Sequence, residues 1–418
     1  MTTTSLQSPL HPLRECIAKV EAELARGASL SVVFLLEAIF EHALVLAASD
    51  IHINPVQEGL QVRMRIDGVL QNVYRLPAGI QAEVVARLKI LSGLRTDEHF
   101  AAQDGRFRIT RPSGELVDVR ISIVPLYYGE NAILRLLAGT AESFTLPKLG
   151  FTPHNQRAIE AALQKPYGMI LATGPTGSGK TTTLYTLLRQ LDAVATSIVT
   201  IEDPIEYAIA GVNQIQVQPR TGLTFATGLR SMLRQDPDTI MVGEIRDNET
   251  AGLAVNVSLT GHLVLSTLHT NDAATTLPRL LDMKVEPYLI ASTVNIAIGQ
   301  RLVRRLCIHC RTAMAVSPRA HDRISQFTAQ DSIPIGAVVY AANGCGKCHH
   351  TGYQGRIGIH EVMTMSSDLR TLVLDLAPAH RLRERAIAEG MVPLVVDGFE
   401  KVQQGLTTIE EIFKLSHE

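Results

Sequence analysis

One eight-residue segment constrains the fold of this chain more than any other feature of its sequence. It reads Gly174-Pro175-Thr176-Gly177-Ser178-Gly179-Lys180-Thr181. The segment fits the pattern G-x-x-x-x-G-K-S/T in full, follows an apolar run and precedes residues at helical spacing. This order predicts a buried strand, a glycine-rich loop and the amino end of a helix in direct succession. A chance match is expected on the order of one time in a hundred for a chain of this length.

The residue types in this segment indicate that it binds phosphate. Glycines allow main-chain N–H groups to surround an anion, and Lys180 is expected to reach the β and γ oxygens of a nucleoside triphosphate. The hydroxyl of Thr181 is the expected ligand of Mg²⁺, and Thr182 follows it on a helix whose amino end adds partial positive charge. ATP and Mg²⁺ are therefore the expected cofactors.

Short apolar runs alternate with helical patterns around this segment. Strands are predicted at 168–173, 197–202, 239–244 and 262–267, and such alternation is typical of an α/β domain with parallel strands. Period-two patterns before residue 140 predict an α+β domain instead. The expected order is a tail with one short helix at 1–30, an α+β domain at 31–140, a linker at 141–151, an α/β domain at 152–306, a cysteine-rich subdomain at 307–360 and a helical region at 361–418.

Two groups of acids follow predicted strands and are candidates for catalysis. Glu244 ends the strand at 239–244, where Gly243 replaces the usual Asp and leaves one carboxylate for the metal shell. A second carboxylate is needed to take the proton from attacking water. Glu202 is the first choice for this general base and Glu206 the second. The alternative is a polar turn around Pro204 with no catalytic role.

Histidines and arginines give weaker signals. His269 follows the strand at 262–267 and is expected to sense the γ-phosphate. His262 begins the same strand, about 20 Å away at 3.3 Å per residue, so a structural role is favoured for it. Arg230 and Arg234 lie four positions apart on one helix face. They could contact phosphate or the ligand of the next subunit, and a solvated or salt-bridged face is the alternative.

Four of the five cysteines form two C-x-x-C pairs, Cys307 with Cys310 and Cys345 with Cys348, separated by 34 residues. Two such knuckles suit one tetrahedral Zn²⁺ held by four thiolates, which leaves no position for water and so predicts a structural role. Four free thiols are the alternative. His309, His349 and His350 are taken as neighbouring surface residues, and Cys16 as an isolated thiol.

Composition narrows the classes of partner. The chain has 39 basic and 41 acidic residues, a formal net charge of -2, so it has no general attraction to nucleic acid. No signal peptide is recognised at the amino end, which leads us to expect a cytoplasmic protein. The apolar stretch at 31–48 contains Glu37, Glu41 and His42, and this predicts a buried amphipathic helix, not a membrane span.

Taken together, these motifs resemble the secretion ATPase superfamily. The resemblance rests on the segment at 174–181, an acidic box at 200–206, the stretches at 233–238 and 242–247, and a histidine box at 260–271. The segments at 48–53 and 62–68 are similar to the amino-terminal domain of that family. The paired C-x-x-C module, with residues 352–361, is similar to the assembly ATPases of type II secretion and type IV pili.

The resemblance implies a RecA-like P-loop NTPase domain preceded by a PAS-like domain, in a ring of six subunits. It implies that Arg65, Arg87 and Arg106 of the amino-terminal domain approach the phosphates. It also implies that both histidines of the box are functional, which conflicts with a structural role for His262. Family members usually carry a longer amino-terminal extension that docks to an inner-membrane partner.

The expected function is therefore that of a hexameric cytoplasmic motor ATPase for type II protein secretion or type IV pilus or pseudopilus assembly. Its expected partners are an inner-membrane platform protein and a cytoplasmic docking protein, at the cytoplasmic face of the inner membrane. A RecA-like ATPase that translocates nucleic acid is the alternative, which the absence of Trp and an aromatic content of 5% disfavour. A nucleotide-binding scaffold without turnover is a third hypothesis.

Overall fold

The structure is a computed structural model that describes residues 11–111, 114–137, 144–327 and 333–415. The chain divides into two compact units. The first unit comprises residues 1–142 and 344–354, and the second comprises residues 143–343 and 355–418. Within the described ranges, no helix combines the length and the apolar character needed to cross a bilayer.

Among its described residues, the first unit contains three α-helices and a six-stranded antiparallel sheet. The helices are α1 (His11–Ala25), α2 (Val32–Val45) and α3 (Gln81–Leu91). The strands are β1 (Asp50–Val56), β2 (Gly59–Ile66), β3 (Val69–Pro77), β4 (Gln103–Thr110), β5 (Leu116–Leu126) and β6 (Gly129–Leu137). Their order across the sheet is β3-β2-β1-β6-β5-β4. The expected α+β arrangement is present, whereas the likeness to a PAS domain stays a prediction.

Alternation of apolar and polar residues explains why this sheet has one covered face. In β2, Leu60, Val62 and Met64 are buried, while the residues between them are partly exposed. The helix α2 places its buried residues at helical spacing, and these pack with β1 and β2 in one hydrophobic core. The amphipathic helix predicted at 31–48 is thus confirmed.

The second unit contains the remaining elements. Its helices are α4 (Leu146–Leu149), α5 (Pro153–Leu163), α6 (Lys180–Leu188), α7 (Phe225–Met232), α8 (Asn248–Leu259), α9 (Thr276–Asp282), α10 (Pro287–Thr293), α11 (Pro318–Ser325), α12 (Ser367–Leu374), α13 (Ala379–Ala388), α14 (Leu394–Gln403) and α15 (Ile409–Leu415). Its strands are β7 (Gly168–Thr173), β8 (Ile198–Glu202), β9 (Asn213–Gln216), β10 (Thr239–Val242), β11 (Leu263–Leu268), β12 (Val294–Leu306), β13 (Thr312–Ala315), β14 (Val338–Ala341) and β15 (Tyr353–Thr364).

Seven of these strands form one sheet in the order β15-β12-β7-β11-β10-β8-β9. The neighbours from β12 to β9 pair in parallel, which confirms the parallel sheet expected from the sequence. Each of β7, β8, β10 and β11 is buried along its whole length, as strands covered on both faces must be. One core, which includes α5 and α6, lies on one face, and a second core, which includes α7, α8 and α10, lies on the other.

The strand β12 links this sheet to the carboxyl-terminal part of the unit. Its first half pairs with β7, and its second half contributes Val303 to a third core with α11, α14 and α15. The strands β13 and β14 form a separate antiparallel pair. Because β15 runs from residue 353 to 364, it crosses the predicted boundary at 360 and joins the seven-stranded sheet.

Candidate functional site

The glycine-rich segment lies between β7 and α6, as its sequence predicts. The φ angles of its three glycines are 149° at Gly174, 80° at Gly177 and 88° at Gly179. Residues with a side chain rarely adopt such angles. Space is also restricted at two of them, because a Cβ atom on Gly174 or Gly179 would collide with Gln300. The loop therefore requires glycine for both its backbone conformation and its packing.

Gln300, which we did not single out from the sequence, holds this loop from β12. Its Nε2 donates to the carbonyl of Ser178 at 2.7 Å, and its Oε1 accepts from the hydroxyl of Thr183 at 2.7 Å. The side chain is buried, so both hydrogen bonds are shielded from water. A polar residue directly after the apolar run at 296–299 is the signal that could have identified it.

Lys180 is buried at the first position of α6, directly after the loop. Its Nζ donates to the carbonyls of Gly174 at 2.7 Å and Pro175 at 3.0 Å. Burial lowers the pKa of its ammonium group to about 8, a shift that the charge of Glu244 opposes and the charge of Arg301 assists. A buried cation with a depressed pKa is stabilised by an incoming phosphate, so the site is suited to bind one. Thr181 and Thr182 are half-buried beside it.

Glu244 and His269 come together at the carboxyl edge of the sheet. They follow the parallel neighbours β10 and β11, and His269 Nε2 lies 3.1 Å from Glu244 Oε2. Arg246 lies 2.6 Å from the other oxygen of Glu244, and this hydrogen bond raises the pKa of the guanidinium group. The edge thus presents one carboxylate, one imidazole and the lysine, which is the set that metal-assisted phosphoryl transfer uses.

Glu202 is buried at the end of β8, and both of its carboxylate oxygens accept hydrogen bonds. Tyr185 of α6 donates to one oxygen, while Thr200 at 2.6 Å and Gln214 at 3.0 Å donate to the other. Burial and the bond to Glu202 raise the pKa of the Tyr185 phenol, which therefore remains a donor. Contacts of this kind anchor a side chain. The role of Glu202 as general base stays a prediction.

Glu206 occupies the same turn but is only half-buried. Its main-chain N–H donates to the hydroxyl of Tyr185 at 3.3 Å. Tyr185 therefore connects the helix that begins with Lys180 to both glutamates of the box, of which Glu202 is buried and Glu206 is partly exposed to solvent. The sequence could not reveal this difference, because the two glutamates lie four positions apart in one motif.

The other residues of the sequence prediction have local partners. His262 Nδ1 lies 3.1 Å from the carbonyl of Val257 near the end of α8, a contact that suits a structural role. Arg230 forms an ion pair with Glu249 at 2.7 Å, and Arg234 donates to the carbonyl of Arg230 at 3.1 Å. A functional role for these three side chains stays a prediction.

Two of the three arginines predicted to contact phosphate lie in one row across the sheet of the first unit. The cross-strand register aligns five positions in succession: Arg65, Asp50, Arg135, Arg120 and Arg106. Directly opposed residues share a face of a sheet. Asp50 lies 3.3 Å from Arg65 and 3.2 Å from Arg135, so one acid faces four arginines in this row.

Arg87 does not belong to this row. It lies on α3, which packs through Val84 and Leu88 against the opposite, apolar face of the sheet. The sequence did not indicate that Arg120 and Arg135 join this row, because their place in it follows from strand register and not from any motif. The row is a concentration of positive charge within the first unit, which favours an anion as its ligand.

The four paired cysteines lie together. Their sulfur atoms are all within 4.8 Å of one another, and Cys345 Sγ and Cys348 Sγ are 3.7 Å apart. A tetrahedral zinc site with Zn–S bonds of 2.3 Å places its sulfurs about 3.8 Å apart, so these residues fit the ion. The N–H groups of Cys345 and Gly352 donate to Cys348 Sγ at 3.1 and 3.2 Å, which stabilises a thiolate there.

The histidines near these knuckles are not part of the cluster. Within the described residues, the group whose ligand atoms converge consists of the four cysteines. His309 and His350 are exposed, and His349 is half-buried. Closed coordination by four sulfurs would leave no position for substrate, so a bound zinc ion would be structural.

Known proteins resemble this chain over nearly its whole length. Residues 26–414 match the family described as type II/IV secretion system protein. The type IV pilus assembly ATPase PilB of Myxococcus xanthus is 44% identical over 399 residues, which cover 93% of this chain and 69% of that protein. The type II secretion system ATPase E of Vibrio cholerae is 43% identical over 389 residues, covering 93% and 76% respectively.

Solved structures share the fold. The ATPase DotB of Legionella pneumophila is 23% identical, with a TM-score of 0.67 and coverage of 93% of this chain and 97% of that chain. The pilus retraction motor PilT with bound ADP is 26% identical, with a TM-score of 0.61 and coverage of 92% and 97%. The α/β fold of a P-loop ATPase is thereby confirmed.

The cysteine cluster predicts that the purified chain contains a single zinc ion. Replacing Cys348 by Ser removes a buried thiolate ligand, so zinc content should fall below half and the thermal unfolding midpoint should drop. Metal analysis and differential scanning calorimetry measure the two quantities. Cys16→Ala is the matched control and should retain its zinc, because Cys16 is a buried cysteine outside the cluster. Full zinc content in Cys348→Ser would contradict the assignment.

The pKa of Lys180 predicts how triphosphate binding depends on pH. A bound polyphosphate stabilises the ammonium form, whereas the unliganded side chain loses its proton as the pH rises through about 8. Affinity should therefore be constant near pH 7 and should fall by up to about tenfold per pH unit above 8. Titration calorimetry with Mg-ATP from pH 7 to 9.5 measures this. Lys180→Arg, which stays charged, should lack the decline, and an unchanged Kd in the parent would exclude the mechanism.

Proposed function

The chain belongs to the family of type II/IV secretion system proteins, and from that premise we propose that it is a motor ATPase that powers type II secretion or type IV pilus assembly. The observation that carries the proposal is the meeting of Lys180, Glu244 and His269 at one edge of the parallel sheet. Relatives more than 40% identical are named as ATPases of these two systems, which supports the same activity here.

Each residue of the site has a separate role in binding a triphosphate. Main-chain N–H groups of the glycine-rich loop and the ammonium of Lys180 bind the phosphates. The hydroxyl of Thr181 would be a ligand of Mg²⁺, and Glu244 would interact with the water shell of the ion. When bound, the ion neutralises charge that develops on the transferred phosphoryl group. His269 would donate a hydrogen bond to the γ-phosphate. Because His269 also contacts Glu244, this pair would connect the γ-phosphate with the water shell of the metal ion.

Of the two glutamates in the box, the contacts favour Glu206 as the general base. The carboxylate of Glu202 already accepts three hydrogen bonds in a buried setting, and taking up a proton there would break the bond donated by Tyr185 or Thr200. Glu206 is partly exposed, so water can reach this part of the turn, and its main-chain N–H is held by the hydroxyl of Tyr185. In this proposal, Glu202 positions the turn and Glu206 removes the proton.

We further propose a ring of six copies, in which Arg65, Arg87 and Arg106 contribute positive charge to the phosphates. The row that contains Arg65 and Arg106 supports this, because four arginines against one acid form a surface suited to polyphosphate. Hydrolysis in sequence around the ring would then drive the rotation that the motor transmits. The four cysteines hold a structural zinc ion that stiffens residues 307–360.

The proposed partners are an inner-membrane platform protein, which receives the motion, and a cytoplasmic docking protein. The motor would act at the cytoplasmic face of the inner membrane, bound to these proteins. The names of the relatives support a role in a secretion or pilus system, in which such partners would be met. The balanced net charge of -2 favours protein partners over nucleic acid.

Lys180→Ala tests the proposed activity. The parent chain should hydrolyse Mg-ATP, and the variant should retain the fold but lose turnover by at least about a thousandfold, because a positioned phosphate ligand is removed. Phosphate release measures turnover, and circular dichroism checks the fold. Arg220→Ala, an exposed substitution outside the site, is the control. Equal turnover in Lys180→Ala and parent would refute the assignment, and stimulation by single-stranded DNA would favour nucleic-acid translocation.

The two glutamates of the box are separated by a pair of isosteric variants. Glu206→Gln removes the proposed base, so kcat should fall by about 10²- to 10⁴-fold with little change in the binding of Mg-ATP. Glu202→Gln keeps the size of the buried side chain but weakens its hydrogen bonds, so thermal stability should fall together with a smaller loss of kcat. Steady-state kinetics and calorimetry give both values. The reverse order of kcat losses would return the role of base to Glu202.

A further inference from the structure

Glu361, a buried carboxylate on β15, lies outside the set of residues assigned to catalysis. Its side chain is 1% exposed. One oxygen accepts from the main-chain N–H of Ala273 at 2.6 Å, and the other accepts from the N–H of Leu394 at 3.3 Å. Leu394 is the first residue of α14. Glu361 therefore joins two main-chain positions that lie 121 residues apart in the sequence.

The neighbouring strand makes room for this carboxylate. A Cβ atom on Gly299 of β12 would lie 2.8 Å from Glu361 Cγ and 3.1 Å from the nitrogen of Ala273. Any larger residue at this position would push the carboxylate away from the amide that it binds. The next residue, Gln300, holds the glycine-rich loop. The same stretch of β12 thus supports the phosphate-binding loop and admits Glu361.

Ala273 ends a short segment that begins with His269, and we call residues 269–273 the histidine loop. Near its start, the N–H of Thr270 donates to the hydroxyl of Thr173 at 3.0 Å, directly before the glycine-rich loop. Further along, Asp272 lies 3.5 Å from Arg383 of α13. Its end is fixed by Glu361. The loop that carries His269 is therefore held to β7 on one side and to β15 and two carboxyl-terminal helices on the other.

We propose that Glu361 is a positioning residue that fixes the histidine loop so that His269 meets Glu244, and that joins this loop to the amino end of α14. The inference deepens the proposed ATPase function and rests on it. The bond to Ala273 restrains the main chain four residues after the imidazole, and the second bond makes α14 part of the same restraint. A shift of the histidine loop on phosphate binding would therefore also displace the amino end of α14.

A double-mutant cycle between Glu361 and His269 tests the proposal. Glu361→Gln keeps the volume of the side chain but replaces one acceptor oxygen by an NH₂ group, which cannot accept from either amide. In the parent background this change should lower kcat about ten- to a hundredfold while KM for Mg-ATP changes less than about threefold. In the His269→Ala background the same change should have almost no further effect, because the residue through which Glu361 acts is absent.

Glu411→Gln is the matched control. Glu411 is also buried in the second unit, and it accepts from the N–H and the guanidinium of Arg304. It lies on α15 and binds β12, not the histidine loop. Its loss should affect stability and leave kcat near that of the parent. Additive losses of kcat in the cycle, or an unchanged kcat in Glu361→Gln, would overturn the proposal.

Hydrogen exchange of the full chain gives a second readout that does not need turnover. Amide exchange in peptides covering 269–276 should become faster in Glu361→Gln and remain at the parent rate in Glu411→Gln. Absence of hydrolysis by the parent would refute the ATPase function, whereas unchanged exchange in these peptides would refute the role of Glu361. If Glu361→Gln does not fold, Glu361→Asp decides by the same measurements, because it keeps the charge but is too short to reach both amides.

Discussion

The structure of the second unit depends on one costly arrangement, a lysine ammonium held in a nearly water-free position at the end of a buried strand. Burial lowers the pKa of Lys180 to about 8, and the carbonyls of Gly174 and Pro175 and the charge of Glu244 offset that cost. Such a cation can be retained only if the loop around it is rigid. This explains why the loop combines glycines with positive φ angles and a buried amide, Gln300, that binds it from a neighbouring strand.

A parallel sheet gathers at one edge the residues that follow its strands, and this made much of the site predictable. Glu244 and His269 each follow a short apolar run, so the sequence placed them at the same edge before their contact was known. The same argument applied equally to Glu202 and Glu206. It could not separate the two glutamates, because their difference arises from tertiary packing. The hydroxyl of Tyr185, on α6, binds the carboxylate of Glu202 and the main-chain N–H of Glu206.

Residues that act through long-range contacts were beyond prediction from the sequence. Gln300 contacts Ser178 across 122 positions, and Glu361 contacts Ala273 across 88. No local pattern encodes such pairs, since each looks like a polar residue within or beside an apolar strand. The arginine row of the first unit is similar. Its alignment depends on the register of four strand pairs, and a shift of one residue in any pair would turn the following side chains to the opposite face.

These buried polar groups share one physical property, namely that each has at least one main-chain partner in a loop or turn of the site. A side chain that binds another side chain can follow it into a new rotamer, whereas one that binds the main chain restrains the path of the loop itself. Gln300 restrains the glycine-rich loop, Tyr185 the acidic turn, and Glu361 the histidine loop. The reactive groups therefore need few contacts of their own. Their geometry is set by elements that are distant in sequence, so a movement of those elements and a change at the phosphates must affect each other.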